Sequence, residues 1–124
     1  MAEVIRIGPL FDGRARVAVH EALNEIKAAV AKRTYDLVQV RLETVLQNPT
    51  GYYQSRIRIS PAPDGLSVND DQVIYGPWLE GTSSRNKTTR FKGYHTFRTV
   101  TQQVQREVPV ITERVLATYL WRMN

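Results

Sequence analysis

Of the residue types that carry out covalent or metal chemistry, the chain offers two histidines, twelve carboxylates and no cysteine. A metal site or acid–base pair would need His20 or His95 in ligand spacing to another histidine or to a carboxylate pair, and neither stands in such spacing. Glu21 and Glu25 do stand one turn apart on a helical pattern. With Lys27 and Lys32 close by, they read as a solvated charged face. Gly81-Thr82-Ser83-Ser84-Arg85-Asn86-Lys87-Thr88 falls one residue short of a phosphate-cradling loop, with Asn86 where the second glycine belongs. That glycine lets backbone amides close around phosphate unobstructed, and Thr89-Arg90-Phe91-Lys92-Gly93 is a poor start for the helix that should follow. Asn86-Lys87-Thr88 is also a glycosylation triplet, which matters only after export. These residues do not assemble a catalytic, cofactor or metal site, and the reading is of a protein that is not an enzyme.

The charge is more informative. Seventeen Lys and Arg against twelve Asp and Glu give +5, and the excess is local. Arg85, Lys87, Arg90, Lys92 and Arg98 fall between Ser83 and Arg98 with no acid among them. The Gly, Ser, Thr and Asn content of this stretch predicts an extended basic loop over 82–93, an arm that grips an acidic partner or a solvated loop. The aromatics interleaved with its bases, Phe91, Tyr94 and Phe97, could stack nucleic-acid bases, or Phe91 and Phe97 could anchor the end of the loop to the core.

The elements that would position this segment follow from periodicity. Val4, Ile5 and Ile7 suggest a short strand or extended arm before Gly8-Pro9. From Arg14 to about Gln47, Val19, Leu23, Ile26, Val30, Leu37 and Val40 make a helical stripe interrupted at Lys32-Arg33-Thr34. Asp12 or Gly13 caps its start and Asn48-Pro49 stops it. Such a rod is roughly 50 Å long, more than a compact chain of this size spans, so its stripe calls for cover from another subunit. Tyr52 to Ser60 reads as a strand with Tyr53, Ser55, Ile57 and Ile59 on one face. Asp64-Gly65 supplies a reversal, and Leu66 to Val68 and Gln72 to Tyr75 return as further strands. From Thr96 onward a second helix carries Phe97, Val100, Val104, Ile111, Val115 and Tyr119, kinked or split near Val108 by Pro109. The fold class is α+β: a long N-terminal helix, a small antiparallel sheet of three to four strands, a long loop and a kinked C-terminal helix, in one domain over 1–124. Its 42% apolar and 23% charged residues are ordinary globular usage. No stretch reads as a membrane span or signal peptide, so the expectation is a soluble protein that stays where it is made, held together by packing alone.

Val73-Ile74-Tyr75-Gly76-Pro77-Trp78-Leu79-Glu80-Gly81-Thr82-Ser83, then Arg90-Phe91-Lys92-Gly93-Tyr94-His95-Thr96-Phe97-Arg98 and a C-terminal helix, resembles the tail-completion proteins of long-tailed bacteriophages, the neck or head-to-tail joining family. In that family a Tyr and a Leu-Glu-Gly-Thr-like run lead through a variable loop to an aromatic residue that begins the last helix. The order of parts agrees along nearly the whole chain. Here Arg90 precedes Phe91, where members often carry proline.

The resemblance implies a structural virion protein with no catalytic residues and no cofactor. It implies a homo-oligomeric ring of six copies between the head connector (stopper) and the tail-terminator or tail-tube proteins. DNA would pass through its lumen without sequence-specific binding. The protein would assemble in the bacterial host cytoplasm and reside in the virion neck. A ring interface is heterologous and needs two complementary patches. Tyr75, Trp78, Leu79, Glu80, Thr82, Arg85, Lys87, Arg90 and Phe91 are the candidate interface residues. Trp78 and Leu79 are expected where the sheet meets the helices, Glu80 accepting backbone donors or pairing with an arginine, and the loop ordering on contact with a neighbour. The alternative is a small basic nucleic-acid-binding accessory protein, whose DNA affinity would fall steeply with salt.

Overall fold

The computed structural model describes residues 14–46, 50–63 and 65–123. The expected strand at Val4–Ile7, the Asp12 or Gly13 cap, the Asn48-Pro49 stop and Asp64 of the Asp-Gly reversal lie outside the described residues. In chain order the elements are α1 (Arg14–Val45), α2 (Tyr52–Arg56), β1 (Arg58–Ala62), β2 (Gly65–Asn69), α3 (Gly76–Glu80), α4 (Arg85–Thr88) and α5 (Thr96–Met123).

The frame is an antiparallel pair of long helices. Val38 and Leu42 of α1 share the main core with Val100 and Val104 near the start of α5. At the other end Ala22 packs against Val115 and Tyr119. Of the α1 residues that meet these clusters, Ala18, Ala22, Ile26, Val30, Val38 and Leu42 stand in one four-residue register, with Tyr35 and Leu37 flanking it at the main core. Each such step turns about 40° around the helix, so the contact line winds across α1 as an i±4 ridge, the packing of helices that cross at an angle. The fixed-face stripe expected from the sequence is therefore only half right. Ile26, Val30 and Leu37 are half-buried, whereas Val19, Leu23 and Val40 are exposed. Helix α1 runs unbroken through Lys32-Arg33-Thr34.

Helix α5 also runs as one element with Pro109 inside it, so of the kink or split expected near Val108 the split does not occur. Pro109 and Gln105, whose carbonyl loses its donor, both lie on the exposed side, where water can serve that carbonyl.

An ion pair spans the two helices. Arg33 donates from Nε and Nη2 to Glu107, at 2.7 and 3.2 Å, and Gln103 donates to the same carboxylate at 2.9 Å. The Arg33 bond first, then that from Gln103, draws the Glu107 carboxyl down from its ordinary 4.5 to about 2. A carboxyl depressed in the folded chain contributes stability that is complete above its unfolded pKa and is lost as pH falls through the folded value. The melting temperature of the native chain should therefore exceed that of a Glu107→Gln variant at neutral pH, and the gap should close between pH 4.5 and about 2. Melts at several pH values check this; a gap independent of pH contradicts it.

The sheet is smaller than expected. Among the described residues it has two strands, antiparallel, with Ile59 opposite Val68 and Ser60 opposite Ser67. Tyr52–Arg56, expected in a strand, is a helical turn. It follows Gly51 in the left-handed region (φ 86°); Ser55 N–H reaches back to the Gly51 carbonyl at 3.0 Å and the Ser55 hydroxyl to the Tyr52 carbonyl at 2.6 Å. Tyr53 and Ile57 are buried because a four-residue spacing shares a face on a helix as it does on a strand. Ile59, grouped with them by strand alternation, is exposed. Gln72–Tyr75, the other expected strand, is a turn.

Candidate functional site

The turn after β2 carries two successive non-glycine residues, Asp71 and Gln72, at φ 56° and 58°. That backbone costs roughly 1–2 kcal/mol per residue, so something must hold it. Asn69 Oδ1 accepts the Asp71 N–H at 2.9 Å and Asp70 Oδ1 the Gln72 N–H at 3.1 Å. The Tyr53 hydroxyl donates to Asp70 Oδ2 at 2.8 Å. Burial, and then this bond, push the Tyr53 phenol above its ordinary pKa and keep it a donor. Arg56 and Arg58 both pair with Asp71. Gly76 is buried, and a Cβ there would run into the Asp70 carboxylate.

What this clamped turn presents is Ile74, 97% exposed, with Tyr75 beside it at 43%. Ile74 thus stands in water just past the strained pair, where burial gives it no contribution to folding. Next to it lies a groove of about 540 Å³, lined among others by Val68, Val73, Ile74, Pro77 and Phe97, with Glu80 and Thr82.

The segment beyond the groove is built around Glu80 and Asn86. Glu80 accepts the N–H groups of Phe97 at 2.8 Å and Arg98 at 3.0 Å, capping α5 across a long stretch of chain where its negative charge opposes the helix dipole favourably. Gly81, at φ 101°, lets the chain leave α3, and the Pro77 carbonyl accepts from Gly81, Thr82 and Ser83. Residues 82–93 then form a compact hook with a helical turn, α4, where an extended loop was expected. Its hub is Asn86, only 3% exposed. Asn86 donates to the carbonyls of Trp78 and Phe91, both at 3.1 Å, and accepts from Ser83 N–H at 3.0 Å. Lys92 Nζ donates to the carbonyls of Asn86 and Lys87 at the end of α4, and Arg41 of α1 donates to the Tyr94 carbonyl at 2.8 Å.

No family model, curated protein or solved structure matches this chain. What the site can do must be read from its own geometry. Among the described residues no three His, Asp or Glu side chains converge as a metal ion would require, and no helix is long and apolar enough to cross a membrane.

The nine residues singled out in the sequence divide into three groups. Leu79 packs on the main core and Glu80 is the cap of α5, accepting backbone donors. Trp78 goes to the hook, away from the sheet: its ring lies 5.0 Å from Phe91, and the Arg85 guanidinium sits 4.8 Å from its centroid. Phe91 in turn meets Tyr94 edge-on at 4.9 Å. These rings are used on each other, while Phe97 packs on the core. Tyr75, Thr82, Arg85, Lys87 and Arg90 are exposed. The sequence reading missed Ile74, Asp70, Asn86 and Gly93. Only the cluster Asn69-Asp70-Asp71 signalled anything, since Asn and Asp tolerate positive φ.

Proposed function

We propose that this chain is the repeating subunit of a ring at the head-to-tail junction of a tailed phage, joining the head connector to the tail tube, with six copies closing around the DNA passage. The observation that carries the assembly part of this reading is the braced turn that holds Ile74 almost wholly in water beside an apolar groove. A heterologous interface needs a fixed projection and a different receiving surface, and a projection that is already rigid loses little entropy on docking. The hook adds a second surface, where Arg85, Lys87 and Arg90 are displayed from a folded base. The neck, the ring of six, the connector and tail-tube neighbours and the virion location come from the resemblance of residues 73–98 to the tail-completion family.

The Arg85 guanidinium over the Trp78 ring, with Phe91 tilted against it, weighs against the nucleic-acid-binding alternative, since a face already occupied is not open to a stacking base. Salt distinguishes the two: contacts by several bases to phosphates would make DNA affinity fall steeply with ionic strength, whereas the ring subunit should bind DNA weakly at every salt.

The test is Ile74→Asp. It should leave the melting temperature within about 2 °C, because surface changes usually stay within ±0.5 kcal/mol. Electron micrographs of lysates should then show filled heads and free tails in place of joined particles. Joined particles at normal yield would remove the turn from assembly, and a large fall in melting temperature would show Ile74 to be a folding residue.

A further inference from the structure

The two sides of the long helix pair are not alike. One carries the Arg33–Glu107 pair with Arg106 and Arg114 around a pocket of about 470 Å³. On the other, β2 lies over the helices, and a groove runs between Leu66 and Val68 of the strand and Ile26, Val30, Ala31 and Val108 of the helices. Helical spacing continues this second side toward the free end of the pair. On α1, Val19 and Leu23 lie about 60° and 100° beyond Ala22 of the seam; on α5, Leu116 and Leu120 lie about 80–120° beyond the seam at Val115 and Tyr119. Because the helices are antiparallel, equal rotations bring both pairs to the same side. The four are 51%, 51%, 40% and 59% exposed, and none of them lines the groove under β2.

The size of their apolar face argues about its occupant. The exposed parts of four such side chains amount to a few hundred Å², well short of the roughly 800 Å² per partner that a stable subunit contact buries. That suits a short peptide segment. One is tethered at the spot: residues 4–11 read Val-Ile-Arg-Ile-Gly-Pro-Leu-Phe and enter α1 at Arg14, little more than one turn before Val19. A tether of a few residues gives an effective concentration in the millimolar range, enough for a small apolar contact to persist. We propose that residues 4–11 of the same chain dock on the face formed by Val19, Leu23, Leu116 and Leu120, with Val4, Ile5, Ile7, Leu10 and Phe11 supplying the apolar contacts. The segment then does for the free end of the helix pair what β2 does for the other end. This inference is independent of the ring reading.

The absence of cysteine gives a clean disulfide test in the full-length chain. Ile7→Cys is combined with Leu116→Cys in one variant and with Arg114→Cys in another. Positions 114 and 116 differ by two residues of sequence but by about 200° around the helix, so the tether is matched and only the side changes. The Leu116 pair should oxidise at least tenfold faster than the Arg114 pair, at a rate independent of protein concentration, giving disulfide-linked monomers on non-reducing gels. Equal rates, or no disulfide in either variant, would overturn the docking. Linked dimers as the main product would also overturn it, assigning the face to another copy's segment. In parallel, a variant lacking residues 4–11 should keep its far-ultraviolet circular dichroism and bind at least twofold more of an apolar fluorescent dye. Unchanged dye binding by that folded variant counts against the proposal.

Discussion

Gly93→Ala is expected to lower the melting temperature by on the order of 10 °C, corresponding to about 3 kcal/mol. Gly93 lies at φ 97° and Gly81 at φ 101°, and their backbones pass so closely that a Cβ on either would run into the other strand of chain. The approach is fixed from both sides, by Tyr94 N–H to the Leu79 carbonyl at 2.7 Å and His95 N–H to the Glu80 carbonyl at 3.2 Å. Alanine meets two costs. The left-handed backbone costs roughly 1–2 kcal/mol, and relieving the collision means separating the chains and weakening those bonds, a further 1–3 kcal/mol or so. Gly51→Ala is the control that separates them: Gly51 is also left-handed, at φ 86°, but has open space around it, so only the conformational cost applies. Thermal unfolding followed by circular dichroism compares the two. If they melt alike, the Gly81–Gly93 contact contributes nothing to stability.

The same contact shows which parts of the fold were legible in the sequence. Both long helices were, because apolar spacing over more than twenty residues reports helix regardless of which side is buried. The buried side itself was misread on α1. A stripe drawn at constant angle assumes a parallel partner, whereas crossing helices meet along an i±4 ridge, so the small Ala22 is buried while the larger Val19 and Leu23 are exposed. At Tyr53 and Ile57 the strand and helix readings bury the same residues, and nothing local distinguishes them; Ser55, bonding back to Tyr52, favours the helical turn. Glu80 was expected either to accept backbone donors or to pair with an arginine, and it accepts backbone donors. Its partners, on Phe97 and Arg98, were not legible, since a cap supplied from a distant segment leaves no spacing signal. Gly93 gave no hint of Gly81, because a close approach between segments twelve residues apart depends on how the hook closes.

The hook closes on Asn86, which the sequence presented only as the residue that spoils a phosphate loop. Asn86→Asp keeps the shape and the acceptor for Ser83 N–H but removes both donations, to Trp78 and Phe91, and sets a carboxylate against two carbonyls. The Phe91 carbonyl keeps the Thr89 hydroxyl at 3.3 Å, whereas the Trp78 carbonyl loses its donor at a cost of about 1–3 kcal/mol; the carboxylate set against both adds to this, and Lys92, held on the neighbouring carbonyls, offsets part of the added charge. The net loss should be about 3 kcal/mol. It should open the hook without unfolding the helices, because the main core lies along α1 and α5. Amide hydrogen exchange checks this: protection at Asn86 and Lys87, whose N–H groups bond the carbonyls of Ser83 and Ser84, should fall on the order of 100-fold, while Val38 and Val104 stay protected. A uniform loss across the chain would instead make Asn86 part of the global core. Under the ring reading proposed above, the variant also tests what the basic hook would contribute to assembly. It keeps Arg85, Lys87 and Arg90 but frees them from a fixed base, so joined particles should fall as they would on replacing those three residues, if a fixed arrangement of charge is what a neighbour recognises. Normal joining by Asn86→Asp with a measurably open hook would mean that charge alone suffices.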